Sequence, residues 1–434
     1  MLTELTALNT PLKDMLDAYC ASGAMRGHMP GHKGRITVDG SHDITEIYCS
    51  DDLYDPQGPL LELERTLAKR AGSRQAFILT DGSSAGVRII CMCLSAAASK
   101  GTVLISRSVH RSVADGCVLA GLEPIFLPDC ELADAVVPGV AAVFVTSPDY
   151  RGKTADLRLL RQRCDRAGAL LAADEAHGAH LPYLGMPCAS AYADICVQSM
   201  HKTMGALTQA AVLHVNSDAL VPYARRFRRM LCTSSPSYLI MESMEAAAEY
   251  YPLHAAEFLD RVRSLRAALI ARGITLYEPP GCDPARLCVL TKASGFDVAD
   301  RLIRAGIVPE MADGESVVFI LTPYDRDYAP LPDKLARCIA ECSCGASLPE
   351  MPVPPAGGRA LPMRAAALSP AELLPLSRAE GRISAVCAGL YPPGVPCIYP
   401  GELITRHHTE YLAACGSRAS VFGLQDGLIA VTRL

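Results

Sequence analysis

The chain is expected to be an α/β protein: a seven-stranded, mostly parallel sheet covered by helices, with a smaller α+β domain and a C-terminal unit. Three observations predict this. Seven short apolar runs recur between residues 75 and 215. The early runs are separated by stretches long enough for crossover helices, which parallel neighbours require. Later, the Pro/Gly-rich stretch "PEMPVPPAGG" (349–358) reads as a linker before a last segment.

Taken in order, "QAFILT" (75–80), "TVLIS" (102–106), "EPIFLP" (123–128), "VAAVFVT" (140–146), "ALLAAD" (169–174), "DICVQS" (194–199) and "QAAVLHV" (209–215) read as strands. Their near-continuous apolarity marks strands buried on both faces. Residues 61–250 then form the major domain, ending in a helical pattern from about Asp218 to Tyr251. The small domain, 251–345, is predicted to run helix 255–272, strand "RLCVLT" (286–291), helix 297–305, strand "SVVFIL" (316–321) and helix 331–343. Residues 346–370 hold the linker, and 371–434 form the C-terminal domain.

Composition excludes several function classes. Net charge is −5 with no basic block, which argues against nucleic acid. The cluster Arg225, Arg226, Arg228 and Arg229 reads as a solvated helix face. No apolar run approaches the roughly 18 residues of a membrane span, and the start, "MLTELTALNTPLKDMLDAYC", lacks a charged head followed by an apolar core. A cytoplasmic protein is expected. The 18 cysteines lie mostly inside apolar segments and read as reduced thiols. Cys338, Cys342 and Cys344 have loosely metal-like spacing but no second Cys/His pair nearby, so no metal site is expected.

The run "DEAHGAH" (174–180) admits two readings. A nucleotide site would need a phosphate-cradling glycine loop upstream. "SPDYRGKT" offers Gly152-Lys153-Thr154, but Ser147 stands where the first glycine belongs and Pro148 removes an N–H donor. An aldehyde cofactor fits better. Asp174 closes one buried strand, and Ser199, His201 and Lys202 close another, so both ends share one rim of the sheet. A lysine there can form a Schiff base, and an aspartate can keep a pyridinium nitrogen protonated. That pair is what pyridoxal 5'-phosphate needs. "LTDGSSAG" (79–86) supplies a phosphate seat: a strand end, Gly82, Ser83 and Ser84 at a helix start. Ser199 adds a hydroxyl. His110, after the second strand, is placed to stack on the ring, and His177 to support the ring or the aspartate.

With these residues in place, the sequence resembles the Orn/Lys/Arg decarboxylases, pyridoxal-phosphate enzymes of the aspartate-aminotransferase fold. It is similar to the compact bacterial branch, without the extra N-terminal wing. The matching segments are "RGHMPGHKG" (26–34), "DDLYDPQGPLLELE" (51–64), "DGSSAG" (81–86), "RSVHRSV" (107–113), "ADEAHGAHL" (173–181), "QSMHKTMGALTQAAVLH" (198–214), "GIVPEM" (306–311) and "YPPGVPCIYPGE" (391–402). The resemblance implies that Lys202 is the Schiff-base lysine, Asp174 the pyridine partner and His110 the stacking ring. It implies that Ser83, Ser84 and Ser199 bind phosphate and that His201 lies beside the lysine. It also implies a homodimer or higher oligomer with the site at the subunit interface, to which residues 1–60, including His32 and Lys33, contribute. Two segments depart from the family pattern. Asp149 and Arg151 stand in "SPDYRG" where Asn-Pro-Thr-Tyr-Tyr-Gly is frequent, and Asp81 stands where asparagine is typical.

The implied reaction is decarboxylation of arginine, lysine or ornithine to CO₂ and a polyamine precursor. Lys202 or His201 is the candidate acid that protonates Cα. A distal cation calls for a carboxylate. Asp51, Asp52, Glu310 and Glu402 are the candidates, and arginine would favour a bidentate partner. An aminotransferase of the same fold, using Arg286 or Arg301 as its carboxylate clamp, and a catalytically silent relative stay open beside this reading.

Overall fold

The structure, a computed structural model, describes residues 11–98, 101–325, 327–342, 351–352 and 359–433. Helix α1 (Pro11–Ala21) leads into the short strand β1 (Met25–Gly27). Helix α2 (Pro59–Ala71) opens with Pro59 in its first turn and stops at Gly72, which takes the left-handed conformation that ends helices.

All seven apolar runs become strands of one sheet. They are β2 (Gln75–Leu79), β3 (Thr102–Ser106), β4 (Ile125–Leu127), β5 (Val140–Thr146), β6 (Leu170–Glu175), β7 (Ile195–Ser199) and β8 (Ala211–Val215). Their order is β2-β8-β7-β6-β5-β3-β4. Strands β3 to β7 are mutually parallel, whereas β8 is antiparallel to both neighbours. Only residues 200–210 join β7 to β8, too few for a crossover helix, so the chain turns straight back. Successive side chains of β5 feed opposite layers. Phe144 joins one core with Ile89 and Val113, and Val143 and Val145 join another with Leu157 and Leu160.

Helices α3 (Gly82–Ala97) and α4 (Arg111–Ala120) cover the first of these faces. Gly86 lets α3 approach the sheet closely: a Cβ there would stand 2.5 Å from Val197 Cγ2. Gly86→Val is therefore expected to destabilise the protein by about 1–3 kcal/mol through overpacking, read as a lower denaturant midpoint at unchanged slope.

The smaller unit has β9 (Thr275–Leu276), β10 (Arg286–Leu290), β11 (Ile307–Pro309), β12 (Met311–Ala312) and β13 (Ser316–Ile320). Four of these form an antiparallel sheet in the order β12-β13-β10-β9. Strand β11 instead pairs in parallel with β1, so the N-terminal segment docks on this unit. One helix, Tyr238–Ile270, runs unbroken through Pro252. The division expected at 250/251 falls inside it. Its Met244 and Phe258 share a single core with Leu60 on one side and Leu287 and Phe319 on the other.

The last unit carries β14 (Ala371–Pro375), β15 (Gly389–Tyr391), β16 (Ser420–Phe422), β17 (Leu424–Gln425), β18 (Leu428–Thr432) and a helix, Arg406–Gly416, around its own core. A buried ion pair fixes it to the large unit. Arg107 donates to Glu402 through both Nη atoms, at 2.7 and 3.0 Å. Tyr399 N–H also donates to Glu402.

The arginine cluster differs from expectation at one position. Arg228 is buried and donates to Glu64 at 3.1 Å and to the Ile78 carbonyl at 2.6 Å, so it belongs to the core rather than to a solvated face. The described cysteines are free thiols; Cys344 lies outside the described residues, as does most of the 349–358 linker. Among the described residues no His/Cys/Asp/Glu group has metal-binding geometry. None of the described helices is long and apolar enough to cross a membrane.

Candidate active site

A cavity of about 590 Å³ opens at the carboxyl ends of the parallel strands. In sheets of this kind, chain reversals leave such a crevice beyond the strand ends. Its walls include Gly82, Ser83 and Ser84 at the start of α3, and His110 just before α4. Asp174 and His177 enter from the end of β6, and His201 and Lys202 from the turn after β7. Tyr391 and Pro393 of the C-terminal unit line the same cavity, so this unit covers the site of its own chain.

Lys202 sits on a one-turn helix, Met200–Thr203, directly after β7. The Pro-Gly-His-Lys segment braces that turn. Gly31 N–H donates to the His201 carbonyl at 2.8 Å, and Thr322 Oγ1 donates to the Gly31 carbonyl at 2.7 Å. A Cβ on Gly31 would stand 3.1 Å from the Lys202 carbonyl oxygen, which is why glycine serves there. Burial holds the Lys202 amine below the ordinary lysine range, against the opposing pull of Asp174 and Glu310. A neutral amine is the form that attacks a carbonyl.

Asp174 lies opposite Thr146 on β5 and Val197 on β7, which fixes its depth. Its Oδ1 accepts the Ala176 N–H at 2.9 Å. Burial raises its carboxyl above the usual range, and the Lys202 charge opposes that rise. His110 caps α4, with Nδ1 accepting the Ser112 N–H at 3.2 Å. Burial, then the Lys202 charge, pushes it down to about 4, so its ring is neutral near pH 7. His201 is likewise pushed by burial to about 4, and its Nδ1 lies 3.1 Å from the Ala210 carbonyl oxygen. His177 places Nε2 3.2 Å from Lys202 Nζ and packs edge-on against Tyr150.

The residues present fit a pyridoxal phosphate. The Ser199 hydroxyl is buried without a partner among the described residues. After Gly82, the N–H groups in the first turn of α3 are available to an anion together with the hydroxyls of Ser83 and Ser84. Gly82 has φ +77° and is tied by its N–H to the Gln209 carbonyl, a turn that favours glycine. Lys202 and Asp174 face the same cavity.

The departures from the family pattern have local partners. Asp81 makes no capping bond to α3 and accepts the Thr233 N–H instead. Asp149 closes its own turn by accepting the Lys153 N–H at 2.8 Å. Arg151 pairs with Asp313 at 2.6 Å. Asp149 and Arg151 line an adjoining cavity of about 440 Å³ that shares Ser108, Tyr150, Pro393 and Val395 with the first.

The remaining candidates are spread out. Lys33 is buried and donates to the carbonyls of His28 and Ile320, both at 2.8 Å, while His32 Nδ1 accepts the Gly34 N–H. From that segment Met29 reaches the cavity wall. Asp51 accepts backbone N–H groups of Asp52, Gln57, Gly58 and Leu60, and Asp52 that of Tyr54. Glu402 is taken up by Arg107 and is not among the cavity-lining residues. Glu310 accepts from the Tyr150 hydroxyl and from Met29 N–H, and so adjoins the wall. Arg301 pairs with Glu341 on the surface. Two neighbours of the site went unread as such in the sequence: Tyr150, and Arg286 in its contact with His177. The Tyr150 position inside the departing segment was the available signal.

Comparison with known proteins agrees with this architecture. Residues 10–142 and 131–272 match the family model for the Orn/Lys/Arg decarboxylase major domain, and residues 347–423 match that for the C-terminal domain. The chain is 27% identical to an arginine decarboxylase of Bacillus subtilis (strain 168), over 93% of each protein. It is 23% identical to the constitutive lysine decarboxylase of Escherichia coli (strain K12), over 94% of this chain and 76% of that protein. Among solved structures, lysine decarboxylase A from Pseudomonas aeruginosa superposes with a TM-score of 0.74 at 20% identity, covering 90% of this chain and 74% of that one. The E. coli constitutive lysine decarboxylase superposes with a TM-score of 0.73 at 19% identity, covering 88% and 74%. The chain belongs to the Orn/Lys/Arg decarboxylase family and is, by class, an amino-acid decarboxylase.

Proposed function

We propose that the protein decarboxylates a basic amino acid, arginine before lysine and ornithine, with pyridoxal phosphate carried on Lys202. The observation that carries this is the meeting of Lys202, Asp174 and the start of α3 in one covered cavity. When bound, the cofactor supplies an electron sink for the pair released as CO₂ leaves. The chain's own residues do the rest. Asp174 would hold the pyridine nitrogen protonated, Ser83, Ser84 and Ser199, following the turn made at Gly82, would seat the phosphate, and the neutral His110 ring would pack against the pyridine. Lys202, having taken a proton from the incoming substrate ammonium, would deliver it to Cα in place of CO₂, because His201 turns Nδ1 to Ala210 and is neutral near pH 7.

Arginine is placed first because relatives matching along nearly their whole length are named arginine decarboxylases. Glu310, bonded to wall residues Tyr150 and Met29, is the proposed partner of the distal cation. Val38, Ile44, Ile47 and Tyr48 stand exposed on the N-terminal segment, which supports a second copy covering them in a homodimer.

Product analysis after incubation with each basic amino acid tests the reading. The corresponding amine is expected, whereas an aminotransferase would yield a 2-oxo acid. Asp174→Asn is expected to lower kcat by about 10²- to 10³-fold, as loss of a fixed electrostatic group does. Steady-state rates under saturating cofactor check this.

A further inference from the structure

Among the described residues, Arg286 is the most deeply buried cation of the smaller unit, at 0% exposure on β10. No carboxylate pairs with it among the described residues, and its Nε and Nη1 have no hydrogen-bond partner there. Its path is paid for in the chain: a Cβ on Gly152 would stand 2.6 Å from Arg286 Cβ. Its guanidinium lies over the Tyr150 ring, 5.9 Å from the centroid, and its one side-chain hydrogen bond among the described residues runs from Nη2 to His177 Nδ1 at 2.9 Å. On the other side of the His177 ring, Nε2 lies 3.2 Å from Lys202 Nζ.

A guanidinium can only donate. His177 Nδ1 must therefore be an acceptor, which excludes the imidazolium and places the ring proton on Nε2. That N–H points at Lys202 Nζ, which must then accept through its lone pair. An ammonium has no lone pair, so the contact is satisfied only by a free amine. We propose that Arg286 is a positioning residue that fixes the His177 tautomer and thereby holds Lys202 as a free amine before any carbonyl arrives. It acts through His177 and needs no contact with substrate or cofactor.

The other charged or titratable groups facing Lys202 are Asp174, Glu310, His110 and His201. Asp174 and Glu310 favour the ammonium, so a device that opposes them has a purpose. Burial drives His177 well below the ordinary histidine range, and Lys202 is held low as well, in agreement with the tautomer assignment.

The proposal concerns the reactivity of Lys202 without cofactor, although its purpose rests on the function proposed above. The test is trace acetylation with acetic anhydride of the full chain freed of cofactor, across pH, with the Lys202 peptide quantified by mass spectrometry. The midpoint reports the amine titration. Arg286→Met is expected to raise that midpoint by about one pH unit or more, because a nearby cation and an enforced donor are both lost. An unchanged midpoint in folded Arg286→Met protein would overturn the proposal.

Should that variant not fold, His177→Gln and His177→Glu decide. Glutamine can accept from Arg286 and donate to Lys202, so it should keep the wild-type midpoint. Glutamate can only accept and should raise it. Equal midpoints for the two would also overturn the proposal. Acetylation needs no decarboxylation, so failure of the proposed reaction leaves this readout intact.

Discussion

Lys202→Ala is expected to lose at least about 10⁴-fold in decarboxylation rate, on the order of 5 kcal/mol in the barrier. Borohydride treatment of the cofactor-loaded wild type should mark the Lys202 peptide, and the variant should show no such mark. The fold should survive. Burial depresses the Lys202 pKa in the folded state, whereas the unfolded lysine titrates near about 10.4. Between these values the unfolded chain binds a proton that the folded one does not, so this lysine destabilises the fold increasingly as pH falls from the unfolded value to the folded one. Alanine removes that burden. The gap in Tm between variant and wild type should therefore shift in favour of the variant as pH falls through this window, as thermal melts at several pH values would show.

Glu402→Ala is expected to cost about 3–5 kcal/mol, because it strands the buried Arg107 guanidinium. Its two charge-assisted bonds to Arg107 and the Tyr399 N–H are lost together. The same pair joins the C-terminal unit to the strand end that leads to His110. Tyr391 and Pro393 should then leave the cavity wall, and substrate affinity should fall along with stability. Urea unfolding measures the first effect and KM the second. A midpoint unchanged from wild type would show that the roof is held by its apolar contacts alone.

The large sheet was legible because its strands, apart from the half-exposed edge strand β4, are apolar runs buried on both faces and bounded by turn formers. Asp174 and Lys202 were legible for a related reason: polar groups closing such runs must sit on the sheet's rim. The short strands β1, β9, β11 and β12 carry too few residues for any periodicity to register. The helix Tyr238–Ile270 crosses the expected division because Pro252 lies within a helix packed along one continuous core, which local sequence does not reveal.

Charged residues misled or stayed silent where their partners are distant in sequence. Glu402 read as a receptor for a substrate cation, yet its oxygens belong to Arg107 in another unit. Asp51 read the same way and is spent on backbone N–H groups of its own loop. Arg286 begins an apolar strand and gave no sign of its contact with His177, because only the packing of the small unit against the large one brings them together.

The most direct measurement is release of CO₂ from carboxyl-labelled arginine, lysine and ornithine by the protein loaded with pyridoxal phosphate. The account predicts CO₂ and the matching amine in equal amounts, fastest from arginine, with Lys202→Ala silent. A 2-oxo acid in place of CO₂, or no turnover of any of the three with cofactor bound to Lys202, would contradict it.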